Sequence, residues 1–147
     1  MRSKMILNGL LVLILMFSPS AFAEDSAKAR VTILVASNQG NDFNLDNDAF
    51  RDQLIKLFSY SSYHQVTAQA VELKSAQPST LSLPDGYDLS LEIQGFEENR
   101  VLIHAVINKE GKSYVDTVLS APKEGVAFLG GPQVSGGDLV IVLEMSF

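Results

Sequence analysis

Asp42, Asn44, Asp46 and Asp48 place an oxygen-bearing side chain at every second position of one short segment. A hard cation such as calcium wants several oxygen ligands on a flexible loop, so Asp42, Asn44 and Asp46 are the candidate metal ligands of this chain. The spacing D-x-N-x-D opens as a calcium loop does and then departs from one. Asn47 stands where such a loop turns on Gly, and Gln53 stands where a bidentate Glu would complete the coordination. Residues 38–48 hold four Asn, three Asp and one Gly, whose side chains and backbone favour turns. The stronger reading is therefore an Asx-rich turn leading into a helix. Zinc lacks a ligand set altogether, with no Cys and two distant His.

Those two histidines are the natural candidates for general acid or base work. His104 lies in VLIHAVI, on the same strand face as Leu102 and Val106, and reads as a structural strand residue. His64 follows a polar stretch containing Tyr60, Tyr63 and several Ser, where a Ser-His pair can be drawn. No Gly-x-Ser-x-Gly turn is present to hold a nucleophile in an oxyanion site, which makes a hydrolase the weakest reading. Residues 130–137, GGPQVSGG, lack the Lys and the following helix of a phosphate cradle and read as a tight connection between the last two strands. Tyr60, Tyr63, Tyr87 and Tyr114, with Asp42, Asn44 and Asp46, suggest a second kind of chemistry, stacking on a small ligand or glycan. Tyr87 and Tyr114 nevertheless fall in strand patterns, where cross-strand packing explains them. No catalytic residue and no cofactor is assigned.

The elements that must position these side chains are mostly strands. Arg30 to Ser37, RVTILVAS, is a short run rich in β-branched residues and reads as a buried strand. Phe50, Leu54, Leu57 and Phe58 then fall at helical spacing, giving one amphipathic helix over about residues 47–59, with Asp46 or Asn47 as cap and acidic Asp48 and Asp52 in the first turn. Val66 to Leu73 is a strand whose alternation slips between Ala70 and Val71, suggesting a bulge. LSLPDG marks a turn at residues 81–86, and residues 87–94 alternate strictly, with Tyr87, Leu89, Leu91 and Ile93 on the buried side. Residues 100–108 and 113–120 form a hairpin about Lys109-Glu110-Gly111-Lys112. Val126 to Leu129 is a short strand, and LVIVLEMSF a final one.

The expected fold class is α+β, mostly β, with about six to eight strands and the one helix. The simplest arrangement is an antiparallel meander from Tyr87 to Phe147 with the first strand added, and a two-layer sandwich is its main competitor. The closing alternation of Leu139, Ile141, Leu143, Met145 and Phe147 resembles the end of outer-membrane barrel proteins. That resemblance covers nine residues, and a barrel of at least eight membrane-length strands leaves too little chain for the helix.

Export is the clearest functional signal. Arg2 and Lys4 precede an apolar run, Ile6 to Phe17, then Ser18-Pro19-Ser20 and the small-x-small Ala21-Phe22-Ala23. Residues 1–23 are thus expected to be a cleavable signal peptide, since the run is short of the roughly 20 residues of a membrane span. A single domain is expected over residues 24–147. Cleavage removes two of the 11 basic residues and none of the 17 acidic ones, taking the net charge from −6 to −8. Such a balance argues against nucleic acid or an anionic lipid surface as partner. After cleavage no transmembrane anchor is expected. The absence of Cys fits the bacterial periplasm or exterior. The expected function is a non-enzymatic binding or assembly module of the bacterial envelope, with an envelope protein as partner, such as an accessory of a secretion or pilus system. The alternative is a domain binding a small ligand, glycan or calcium.

Overall fold

The computed structural model describes residues 26–46 and 49–147. The expected signal peptide, the cap candidate Asn47 and the first-turn Asp48 lie outside those residues. The chain folds as a two-sheet sandwich of nine strands with one α-helix among the described residues. The strands are β1 (Ser26–Ser37), β2 (Phe43–Asn44), β3 (Ser62–Lys74), β4 (Ser79–Ser82), β5 (Asp88–Glu97), β6 (Arg100–Lys109), β7 (Lys112–Pro122), β8 (Val126–Val134) and β9 (Gly137–Ser146); the helix is α1 (Arg51–Leu57). The mostly β, α+β class read from the sequence is correct. Two of the nine strands, β2 and β4, are too short for any alternation to reveal them.

One sheet has the order β2-β3-β1-β9-β8 and the other β4-β5-β6-β7. Of the meander expected from Tyr87 to Phe147, β5 to β7 run side by side in one sheet, and β8 and β9 pair in the other. After β7 the link Lys123–Gly125, closed by a bond from the Gly125 N–H to the Pro122 carbonyl, carries the chain into the other layer. There β9 lies between β1 and β8 in an antiparallel ladder, interior to a sheet whose ends, β2 and β8, do not pair to close a barrel.

The sequence pattern of each strand follows from the layers it separates. In β5 and β6 the residues Leu89, Leu91, Ile93, Val101, Ile103, Ala105 and Ile107 point inward and are buried, while their neighbours face solvent. They meet Val31, Ile33, Leu139, Ile141 and Leu143 of the larger sheet in one hydrophobic core. β1 and β9 are buried on both faces over much of their length, which is why RVTILVAS and LVIVLEM run almost continuously apolar. Their second face, Leu34, Ala36, Val140 and Val142, packs with Phe50, Leu54 and Tyr63 in a smaller cluster beneath α1. The order of layers is helix, five-stranded sheet, four-stranded sheet.

α1 is shorter than the expected 47–59. Phe50 occupies the N-cap position with no side-chain capping bond, and Phe58 is already extended. Asp46 does not cap it, because its carboxylate is bonded to Gln65. Seven residues make a helix too short to persist alone. Packing holds it: Phe50 and Phe58 each meet the Phe128 ring at 6.4 Å, and Leu54 is fully buried. Leu57 does not join them and is 61% exposed.

A bulge decides where Tyr63 goes. β3 pairs with β1 in regular register from Lys74 to Thr67, and the register then shifts so that Gln65 faces Leu34 and Val66 is the extra residue. A one-residue slip moves every later side chain to the opposite face. Leu73 therefore faces the core between the sheets, whereas Tyr63 lies under α1. Its single hydroxyl proton is shared between the carbonyls of Leu54 (3.3 Å), which also accepts the Phe58 N–H, and Phe58 (3.5 Å), tying β3 to the end of the helix. The bulge expected between Ala70 and Val71 is absent, since both pair in register. Exposure of the small Ala70 explains the apparent slip in hydrophobicity.

The glycine-rich segment also departs from expectation. β8 continues through Gly130, Gly131 and Pro132 to Val134, with its register shift between Gly130 and Gln133, so the connection to β9 shrinks to Ser135–Gly136. Pro132 is tolerated because β8 is an edge strand and the residue sits at an irregularity in the ladder.

Candidate functional site

The Asx segment is built into the sheet. Phe43 and Asn44 pair in parallel with Tyr63 and His64, and the extended backbone turns the Phe43 ring onto Tyr63, at 5.2 Å between centroids. Arg51 stacks over the Phe43 ring, its guanidinium 4.2 Å from the centroid. The Asp42 N–H donates to the Ser62 hydroxyl, and Gln65 clasps Asp46 by donating to its carboxylate (2.8 Å) and accepting from its N–H (3.1 Å). Asp42, Asn44 and Asp46 are all exposed. No group of three or more Asp, Glu, His or Cys is placed to hold a metal ion among the described residues.

The histidines lie far apart. His104 is on the outer face of the four-stranded sheet, where its Nε2 is 2.6 Å from the Asp116 carboxylate, and Glu92 sits opposite it in register. This is a cross-strand pair on a wet sheet face. His64 is exposed on β3 beside Asn44. The nearby serines are occupied: Ser61 donates to the Gly40 carbonyl (2.6 Å) and Ser62 to the Gln39 carbonyl (2.9 Å), which fixes the turn after β1.

The four tyrosines fall into two pairs, Tyr60 with Tyr63 and Tyr87 with Tyr114, and not into one group. Tyr63 is buried under α1. Tyr87 and Tyr114 meet edge to face at 5.2 Å near the β6–β7 hairpin, with Lys109 over one ring and Lys112 over the other. Tyr60 borders an open cleft, where its hydroxyl donates to Asp138 at 2.7 Å. That bond, helped by burial and by the Asp138 charge, raises the Tyr60 pKa, and burial raises that of Tyr63. Below the ordinary tyrosine value of about 10, folded and unfolded chains are both protonated at these groups. Above it the unfolded chain ionises first, so stability is lost as pH rises through the raised folded values. Thermal melts between pH 8 and 11 should show the melting temperature falling from about pH 10, and falling less steeply in Tyr60→Phe.

A groove of about 320 Å³ runs between α1 and the edge strand β8, lined by Gln53, Lys56, Leu57, Val126 and Phe128. Leu57 and Ile55 are exposed on that helix, at 61% and 51%. The phase of the adjoining ladder follows from one bond: the Met145 N–H donates to the Gly125 carbonyl at 2.7 Å. Alternation then gives Ala127 and Leu129 the exchanges with β9 and turns the N–H and C=O of Val126 and Phe128 toward the open edge. The same two residues supply the floor of the groove. No family model, curated protein or solved structure matches this chain. Its chemistry has to be read from its own surfaces.

β9 is interior to the larger sheet, and β8 is one of its open edges. The groove residues Leu57 and Lys56 carry no signal in the sequence, because an exposed Leu on an amphipathic helix looks like one more core residue.

Proposed function

We propose that this chain is an exported, non-enzymatic binding or assembly module of the bacterial envelope, such as an accessory of a secretion or pilus system. Its partner is an extended segment of an envelope protein, added to β8 as a further strand. The observation that carries this reading is the pairing of an open strand edge with an exposed apolar groove beside it. Unpaired N–H and C=O groups at Val126 and Phe128 call for a partner backbone in β conformation. Leu57, Val126 and Phe128 call for apolar side chains at alternate positions of that partner. Edges also lie at β2, β4 and β7; the groove between strand and helix adjoins β8. Export is supported by the charged, apolar and small-x-small order of residues 1–23. No helix among the described residues is long and apolar enough to cross a membrane.

The chain has no cysteine, so Gln53→Cys gives a single attachment point for a photo-crosslinker at the groove. Crosslinking in cells should yield an adduct with one envelope protein, mapping by mass spectrometry to a segment with alternating apolar residues. Leu57→Glu should reduce that adduct about tenfold, corresponding to about 1.4 kcal/mol of lost apolar contact. As a surface change it should shift stability by no more than about 0.5 kcal/mol. An adduct that persists unchanged in Leu57→Glu, or none at all, rejects the groove.

A further inference from the structure

We infer that the cleft beside Tyr60 and Asp138 binds a neutral sugar. It lies at the end of the five-stranded sheet, where the turn after β1, the β8–β9 connection and the segment preceding β3 meet. Its lining includes Asn38, Gln39, Tyr60, Gln133 and Asp138, with the backbone of Gly136 and Gly137. The volume of about 430 Å³ lies within the range of small-molecule sites, about 300–1,000 Å³.

The donor and acceptor set selects the ligand class. A sugar hydroxyl both donates and accepts, so a vicinal diol is best met by a carboxylate beside a carboxamide. One Asp138 oxygen accepts from Tyr60, which fixes the carboxylate and leaves its remaining acceptor capacity to the cleft. Asn38 accepts from the Ser61 N–H through its Oδ1, at 3.2 Å, so its amide N–H groups are left to donate. Gln39 and Gln133 add two more carboxamides, both exposed. Tyr60 is itself held by an edge-on contact with Tyr63 at 6.2 Å, so its ring is a fixed wall.

The same set disfavours the other classes. The lining contains no Lys, Arg or His, so a phosphate or sulfate would meet Asp138 without any cation to offset it. A divalent cation would find a single carboxylate, already hydrogen-bonded, where it wants several anionic oxygens. An apolar ligand would strip water from three carboxamides and a carboxylate without replacing those bonds.

This site stands on different residues from the groove at Leu57. The two lie toward opposite ends of β8, Val126 and Val134, roughly 25 Å apart at the rise of a strand. A strand bound at one end leaves the other free for the glycan-rich surroundings of an envelope protein.

The test is a glycan array probed with the purified chain after signal removal, followed by thermal shift with the glycans that bind. At least one neutral glycan should bind and raise the melting temperature with concentration. Asp138→Asn and Asn38→Ala should each weaken that binding tenfold or more, while Leu57→Glu leaves it unchanged. Should the Asp138 variant fail to fold, Gln133→Ala, at an exposed position, carries the same expectation. Binding to no glycan, binding confined to sulfated or phosphorylated glycans, or binding indifferent to Asp138, Asn38 and Gln133 overturns the inference. Because Leu57→Glu spares this site and the cleft variants spare the groove, failure of either reading leaves the other standing.

Discussion

Gly137→Ala should destabilise the fold by about 2–6 kcal/mol, one of the two largest effects expected of a single substitution here. Gly137 opens β9 with φ of +152°, a conformation that side chains disfavour, and a Cβ there would run into the Ala36 carbonyl oxygen. Strain at such a backbone position costs about 1–3 kcal/mol, and forcing apart a packed neighbour about as much again. The obstacle is backbone, not the tip of a flexible side chain, so relief requires β9 to move off β1. Those two strands pair from Ala36 and Asp138 to Lys28 and Ser146 through the middle of the larger sheet. The displacement would begin at Asp138, loosening the Tyr60 bond that shapes the sugar cleft. Urea denaturation gives the stability, and alkaline titration of the tyrosines should show Tyr60 moving back toward its ordinary value. A loss below about 1 kcal/mol would mean that the start of β9 yields more easily than its close approach to β1 implies.

Legibility in the sequence tracks how local each cause is. The alternation of Leu89, Leu91 and Ile93 with polar neighbours is a local statement about one sheet face, and β5 carries it before running on past a register shift after Ile93 to Glu97. The hairpin at Glu110-Gly111 is equally local, both residues taking positive φ in a two-residue turn. The unbroken apolar run in β1 signals burial on both faces, though it does not say that the second face is covered by α1. What covers a face is set by residues distant in sequence. Phe128 fixes where Phe50 and Phe58 must sit, and so ends α1 early at both ends. The Val66 bulge has no local signature, because its consequence is the placement of Tyr63 against a helix nine residues earlier. β8 hides behind Gly130-Gly131-Pro132, a signature of turns that an irregular edge strand can also accommodate. The choice of sandwich over meander rests on where three residues after Pro122 lead the chain. Both candidate sites are of this distant kind: Tyr60 and Asp138 are 78 positions apart, and neither residue is unusual alone.

Phe50→Ala should cost about 3–5 kcal/mol, and its distribution across the molecule matters as much as its size. Phe50 is 1% exposed, and its ring lies edge-on to Phe128 in the smaller cluster. Its carbonyl also accepts the first helical bond, from the Leu54 N–H at 3.0 Å. The larger core, between the sheets, includes none of the residues of α1. Removing the Phe50 ring therefore weakens the attachment of one layer, and partial unfolding of that layer becomes the least costly opening available. Amide exchange should report it directly. The Leu54 and Phe58 amides, which donate to Phe50 and Leu54, should exchange on the order of 100-fold faster or more, at about 1.4 kcal/mol per tenfold. Amides of β6 such as Ile103 should lose much less protection. The groove between α1 and β8 should open with the helix, so the crosslinked adduct at position 53 should fall in parallel. Equal loss of protection in α1 and β6 would instead make helix and sandwich one cooperative unit. The helix would then have to be counted as part of the core, and a partner docking against Leu57 would stabilise the whole domain rather than its outer layer.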